Sequence, residues 1–149
     1  MTVQIHPSTA LVPPHHDEAV SIDNGMVDLV RAIWARGWQT AACCQDTGEA
    51  VEGERDHGDT TRDATGNVGF IEYYRGWSWL KMPRDDAFAF LGEMAEDEGF
   101  RDLVTIPWGK GSWRLHTPVV WSGDRFVSTP FVQIYFPKQQ LADILKVLE

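Results

Sequence analysis

The chain has 149 residues, enough for one domain with a sizeable core, and its 43% hydrophobic and 23% charged content is that of an ordinary globular protein. A net charge of −9 argues against direct binding of nucleic-acid phosphates or anionic membrane surfaces. No run reaches the roughly 18 apolar residues that span a bilayer, and residues 1–14 lack the basic start and apolar block of a signal peptide. The compartment this implies is cytoplasmic, where the two cysteines stay reduced.

Residues 1–20 read as an N-terminal arm, because Pro7, Pro13 and Pro14 remove backbone donors and little periodicity is visible. Residues 21–149 read as a single domain. Ser21 or Asp23 can cap a helix, and Met26, Leu29, Val30 and Ile33 follow the spacing of one buried stripe. Gly37 ends that helix, and Trp38 to Cys44 reads as a short strand. Residues 46–66 hold Asp46, Glu49, Glu52, Glu54, Asp56, Asp59 and Asp63 against Arg55 and Arg62, and they predict a mobile acidic surface loop. Val68 to Tyr74 and Trp77 to Met82 predict a hairpin turning at Arg75 and Gly76. Pro83 opens a second helix with Phe88, Leu91 and Ala95 on its apolar face, closed by Gly99. Leu103 to Trp108 and Ser112 to Trp121 predict another hairpin about Gly109, Lys110 and Gly111. Ser122, Gly123 and Asp124 then turn into a long strand, Phe126 to Phe136, where Pro130 implies an edge or a bulge. Pro137 starts a last helix with Leu141, Ile144, Leu145 and Leu148 on one side. The order α-β-β-β-α-β-β-β-α is that of an α+β fold: a mainly antiparallel sheet of about five to six strands, covered on one face by three amphipathic helices.

Seven Trp residues mean either a heavily aromatic core or flat surfaces on which a ligand can stack. Trp77 and Trp79 share a strand face, and Trp113 stands on another line. Beside Arg75 and Arg114, an exposed Trp line could hold a planar ring and a phosphate. Cys43 and Cys44 should point to opposite faces where the strand meets the acidic loop, so that one is buried and one can face a cleft. No cation stands near them in sequence, and acidic neighbours would raise the thiol pKa, which favours two inert, half-buried side chains. Zinc-type spacing is absent around Cys44, His15, His16 and His57, and so are a nucleophile elbow, a phosphate loop and a calcium loop. His116 could act as a general base, although a strand histidine more often faces solvent. No catalytic residue, metal or cofactor is therefore assigned from the sequence.

The segment IDNGMVDLVRAIWARGWQTAACCQ, residues 22–45, resembles a set of small uncharacterised actinobacterial and actinophage proteins. Their pattern is an acidic cap, an apolar helix ending in W-x-x-G, then T-x-x-[SC]-C-[QE]. Its positions here are Asp23, Leu29, Trp34, Gly37, Thr40, Cys43, Cys44 and Gln45, and a strand of the type at Val68 to Tyr73 is also similar. No activity comes with the resemblance, which implies a phage or actinobacterial origin and an accessory role.

Together these features predict a non-catalytic accessory protein that binds a small molecule, such as a nucleotide, or a basic protein partner. The expected ligand-binding residues are Cys44, Gln45, Arg75, Trp77, Trp79, Trp113 and Arg114. The alternative is a Cys- or metal-dependent enzyme using Cys44 with a histidine. The oligomeric state is not set by the sequence.

Overall fold

The chain starts by pairing with itself. Strand β1 (Ser8–Leu11) runs antiparallel to β2 (Val20–Asp23), with Ser8 opposite Asp23. A 3-10 turn (Asn24–Met26) leads into α1 (Val27–Ala35), which gives way to Gly37 at φ +81°. Strand β3 (Ala42–Cys44) and helix α2 (Thr47–Gly53) follow. Next come α3 (Phe70–Tyr74), β4 (Trp77–Pro83), α4 (Arg84–Glu96) and α5 (Arg101–Thr105). Three short strands follow: β5 (Arg114–His116), β6 (Val119–Ser122) and β7 (Arg125–Ser128). The long strand β8 (Phe131–Pro137), a 3-10 turn (Lys138–Gln140) and α6 (Leu141–Leu148) complete the chain. This is a computed structural model, and it describes residues 6–53 and 69–149.

The central sheet is antiparallel throughout, in the order β3-β4-β8-β5, and two further two-stranded ribbons pair β1 with β2 and β6 with β7. Strand alternation decides its layers. Ser78, Leu80 and Met82 of β4 and Val132, Ile134 and Phe136 of β8 point to one buried face. Leu29, Val30 and Ile33 of α1, Phe90, Leu91 and Met94 of α4, and Ile144 and Leu148 of α6 complete that core. Each fully buried Leu, Ile, Phe or Met contributes about 1.5–3 kcal/mol relative to exposure. The opposite face carries Trp77, Trp79 and Lys81 of β4, half-buried, and Tyr135 of β8, buried under its neighbours.

The fold class is α+β with antiparallel sheets, as expected, but its parts are more numerous. Among the described residues there are six α-helices and eight strands, in place of three helices and five to six strands. Phe70–Tyr74 is helical instead of extended, since a short apolar run carries no period of two. The helix sets Ile71 inward and lays Tyr74 on the Tyr135 ring, centroids 4.2 Å apart. Arg101–Thr105 is also helical. Asp97 starts this turn by accepting the N–H groups of Gly99 and Phe100. Residues 8–11, inside the stretch read as an arm, form β1; half of that strand and half of β2 is exposed, and neither shows an alternating pattern. Pro130 divides the expected long strand into β7 and β8, and its carbonyl accepts the Arg84 N–H at 3.0 Å. Residues 47–53 of the expected acidic loop form α2, while residues 54–66 and Val68 lie outside the described residues.

One glycine in α2 carries a close approach. Glycine to alanine within a helix ordinarily gains about 0.5–1 kcal/mol. A Cβ on Gly48, however, would lie 2.5 Å from both Arg75 Cα and the Ile71 carbonyl oxygen, which are backbone atoms that cannot swing aside. Gly48→Ala is therefore expected to lower stability by about 1–3 kcal/mol, seen as a lower urea midpoint. An unchanged or higher midpoint would mean that α2 and α3 separate freely.

Candidate functional site

His6 is the centre of the first polar cluster. It precedes β1, and the pairing of β1 with β2 brings it to Asp23 at the end of β2. Its ring is buried at 7% exposure and lies between two carboxylates. Nδ1 is 3.2 Å from Asp23 Oδ2, and Nε2 is 3.1 Å from Glu49 Oε2. The Cys44 sulfur is 4.0 Å from the same Nδ1. Asp23, one of two candidate caps in the sequence with Ser21, makes no side-chain cap; its Oδ2 accepts the Gln45 backbone N–H at 2.9 Å. Gln45 Oε1 in turn accepts the Gly25 N–H at 2.8 Å, and its backbone carbonyl accepts the Ser78 hydroxyl at 2.8 Å.

Both thiols are held protonated at neutral pH. Burial pushes Cys44 up to about 12; the Asp46 backbone N–H opposes this and the Asp23 charge adds to it. Burial and Asp23 likewise push Cys43 up to about 12. The raised thiols thus come mainly from burial and from Asp23 across the β2–β3 junction. The two sulfurs diverge as strand geometry requires: Cys43 packs against the core, and Cys44 faces His6.

Asp46 anchors the cluster from below. It is 1% exposed and accepts N–H groups from Glu49 at 3.1 Å and Gly76 at 3.0 Å, and the Lys138 ammonium at 2.9 Å. Burial alone would raise its pKa, but Lys138 and these backbone donors outweigh it and hold the carboxyl below 3.8. Lys138 also reaches Glu49 at 3.7 Å, so one chain of polar contacts runs from Asp46 through Lys138 and Glu49 to His6.

Four of the residues singled out from the sequence meet on the half-open sheet face. Cys44, Trp79, Tyr135 and Arg114 stand opposite one another in a single row across the sheet, and Trp77 lies beside them. The Arg114 guanidinium sits between two rings, 3.6 Å from the Tyr73 centroid and 3.8 Å from that of Trp77. Its Nη1 also donates to the Tyr73 carbonyl at 2.6 Å. Trp113 lies on the other side of the sheet, in the core at 3% exposure among Phe90, Phe100 and Phe136. Arg75 is exposed where α3 passes into β4, and His116 is exposed at the end of β5. His57 lies outside the described residues.

A cavity of about 590 Å³ opens elsewhere, between the turn that joins β1 to β2 and the C-terminal end of α1. Pro13, Pro14, Trp34 and Trp38 give it apolar walls, and His15, His16, Asp17, Glu18, Gln39 and Thr40 give it polar groups. Trp34 Nε1 donates to Thr40 Oγ1 at 3.1 Å, and Trp38 meets the core ring of Phe90 edge-on at 6.1 Å. His15 holds φ at 64°, a conformation uncommon for a residue with a side chain. Two polar features thus escaped sequence reasoning. His6 is separated from Cys44 by 38 residues with no motif to link them. The cavity needs a folded β1–β2 turn, whose strands show no periodicity. Of the eight positions that carry the resemblance, Trp34, Gly37 and Thr40 line the cavity, Asp23, Cys44 and Gln45 build the His6 cluster, and Leu29 and Cys43 pack in or against the core.

No helix among the described residues is long and apolar enough to cross a membrane. No protein-family model, no curated protein and no solved structure matches the chain, so none of them bears on the resemblance carried by residues 22–45.

Proposed function

We propose that this protein is a non-catalytic binder of a small planar molecule, neutral or cationic, and that the cavity beside Trp34 and Trp38 is its site. The observation that carries this reading is the cavity itself. Its volume of about 590 Å³ suits a small ligand, and it pairs two indoles and two prolines with a few polar groups. Charge narrows the ligand class. Asp17 and Glu18 line the cavity and, among the described residues, no lysine or arginine does, so a phosphate would meet like charge. A nucleotide, the ligand class suggested by the aromatic sequence, fits this cavity poorly for that reason. The Arg114 platform offers a cation, but its faces are already taken by Tyr73 and Trp77.

Indole fluorescence and calorimetry with a panel of planar compounds, charged and uncharged, test this directly. Neutral or cationic rings are expected to bind and quench, and Trp34→Ala is expected to weaken them at least tenfold. The double change Asp17→Asn with Glu18→Gln should weaken cationic rings and spare neutral ones. Binding that survives Trp34→Ala but is lost in Arg114→Ala would move the site to the sheet face and overturn the cavity assignment.

Exposed apolar side chains favour a second reading, protein-partner binding. Trp121 is 59% exposed and Phe126 69% exposed on the β6–β7 ribbon, and Val119 and Val120 beside them are also exposed. Replacing Trp121 and Phe126 by serine separates the two readings, because it should leave ligand quenching untouched and abolish any partner contact.

A further inference from the structure

A second site, independent of the cavity, lies where β1, β2 and β3 meet. We propose that His6 Nδ1, Asp23 Oδ2 and Cys44 Sγ form a binding site for a transition-metal ion of the zinc class, with Glu49 orienting the imidazole from behind. The three ligand atoms lie within 4.8 Å of one another. A tetrahedral zinc ion bonds nitrogen at about 2.0–2.1 Å, oxygen at about 2.0–2.2 Å and thiolate sulfur at about 2.3 Å. Those lengths place nitrogen and oxygen about 3.4 Å apart, and nitrogen and sulfur about 3.6 Å apart, around one centre. The observed separations are 3.2 Å and 4.0 Å. The third pair, the Asp23 oxygen and the Cys44 sulfur, lies within 4.8 Å, against about 3.6 Å around one centre, so shifts of up to about an ångström seat an ion among the three.

The surroundings match in kind as well as in distance. A metal-bound histidine normally donates its other ring N–H to a carboxylate, which fixes the tautomer and aims the lone pair at the ion. His6 has this arrangement, with Glu49 Oε2 3.1 Å from Nε2 while Nδ1 faces Cys44 and Asp23. Glu49 is itself steadied: Lys138 stands 3.7 Å from its other oxygen, and its backbone N–H is bound to Asp46. Asp23 receives the Gln45 N–H on the same oxygen, which holds that carboxylate in register with β3. Thiolate, imidazole and carboxylate together select zinc or cobalt over magnesium and calcium, which prefer oxygen alone. Loading forms a sulfur–metal bond as the Cys44 S–H proton leaves to solvent, and no electron changes hands. Three protein ligands leave one position of the tetrahedron for water or an added anion.

The sequence suggests Cys44 with a histidine as a candidate metal-binding pair but not these partners, because the ligands sit at positions 6, 23 and 44 without a spacing motif. A structural alternative exists for the same atoms, a protonated His6 clamped between two carboxylates with no metal at all. Cobalt separates them. Chelator-stripped, tag-free protein is titrated with Co²⁺ and then with Zn²⁺, with absorbance and calorimetry as readouts. The expected result is one equivalent bound, with a sulfur-to-cobalt charge-transfer band that zinc displaces. Cys44→Ser should remove the band, and Cys43→Ser should keep it. Glu49→Gln should keep the band while weakening the metal roughly 10–100-fold, the scale of an orienting carboxylate. A folded wild-type protein that binds no cobalt, or binds it without the sulfur band, overturns the proposal whether or not any variant folds. The cavity reading is unaffected by either result, since Trp34 quenching is measured on metal-free protein.

Discussion

Trp113→Ala is expected to lower folding stability by about 3–5 kcal/mol and to leave ligand affinity unchanged in the molecules that remain folded. The indole is wedged among three rings of the core, with centroids 5.1 Å from Phe136, 5.7 Å from Phe90 and 5.9 Å from Phe100. Its Nε1 donates to Gln140 Oε1 at 2.7 Å, and Gln140 Nε2 donates onward to the Gly111 carbonyl at 3.1 Å. Truncation would open a cavity the size of an indole between α4, α5 and β8, and would also release the 3-10 turn before α6. Trp113→Phe should recover most of the packing and lose only the hydrogen bond, about 1 kcal/mol. Urea unfolding gives the energies, and quenching by a cavity ligand gives the affinity. A stable Trp113→Ala protein with lost ligand binding would return this residue to the ligand-contacting role that its strand position first suggested.

Asp46→Ala is expected to lower stability by about 3 kcal/mol, near the lower end for breaking a buried ion pair because Lys138 is 43% exposed. The carboxylate ties together the start of α2, the turn between α3 and β4, and the turn after β8. Its loss would leave the Gly76 and Glu49 N–H groups without their acceptor and would loosen Glu49 against His6. The pH dependence follows from its lowered pKa. Above the ordinary carboxylate range the stabilisation is fully present, and it is lost as pH falls through the folded-state value below 3.8. Asp46→Asn keeps the shape and removes the charge, so the gap between wild type and Asp46→Asn should close in acid. A gap that stays constant as the pH is taken from neutral into acid would show that the fold does not hold the Asp46 carboxyl below its ordinary range.

The N-terminal segment shows how the two levels divide. Proline content makes residues 1–20 read as an arm, and Pro13 and Pro14 do sit in a turn, yet the flanking residues pair as β1 and β2 through backbone hydrogen bonds. Backbone pairing is blind to side-chain type, so it leaves no trace in a half-exposed strand whose side chains do not alternate. Asp23 shows the same limit. Its position before an apolar helical stripe suggests a cap, but capping and site-building draw on the same carboxylate chemistry, and only the position of Gln45 and His6 chooses between them.

Local pattern by itself determined the α1 stripe, the stops at Gly37 and Gly123, the alternation of β4, the apolar side of α6 and the opposed directions of Cys43 and Cys44. These depend on periodicities of the chain and on the few residues that accept a positive φ. Tertiary structure alone decided that Trp113 is core, that Arg114 is stacked between Tyr73 and Trp77, and that Asp46 is buried. It also brought His6 to Cys44 and opened the cavity beside Trp34. Each of those outcomes depends on which distant segments lie side by side, and contact between segments tens of residues apart is set by how the strands register, which no local spacing encodes.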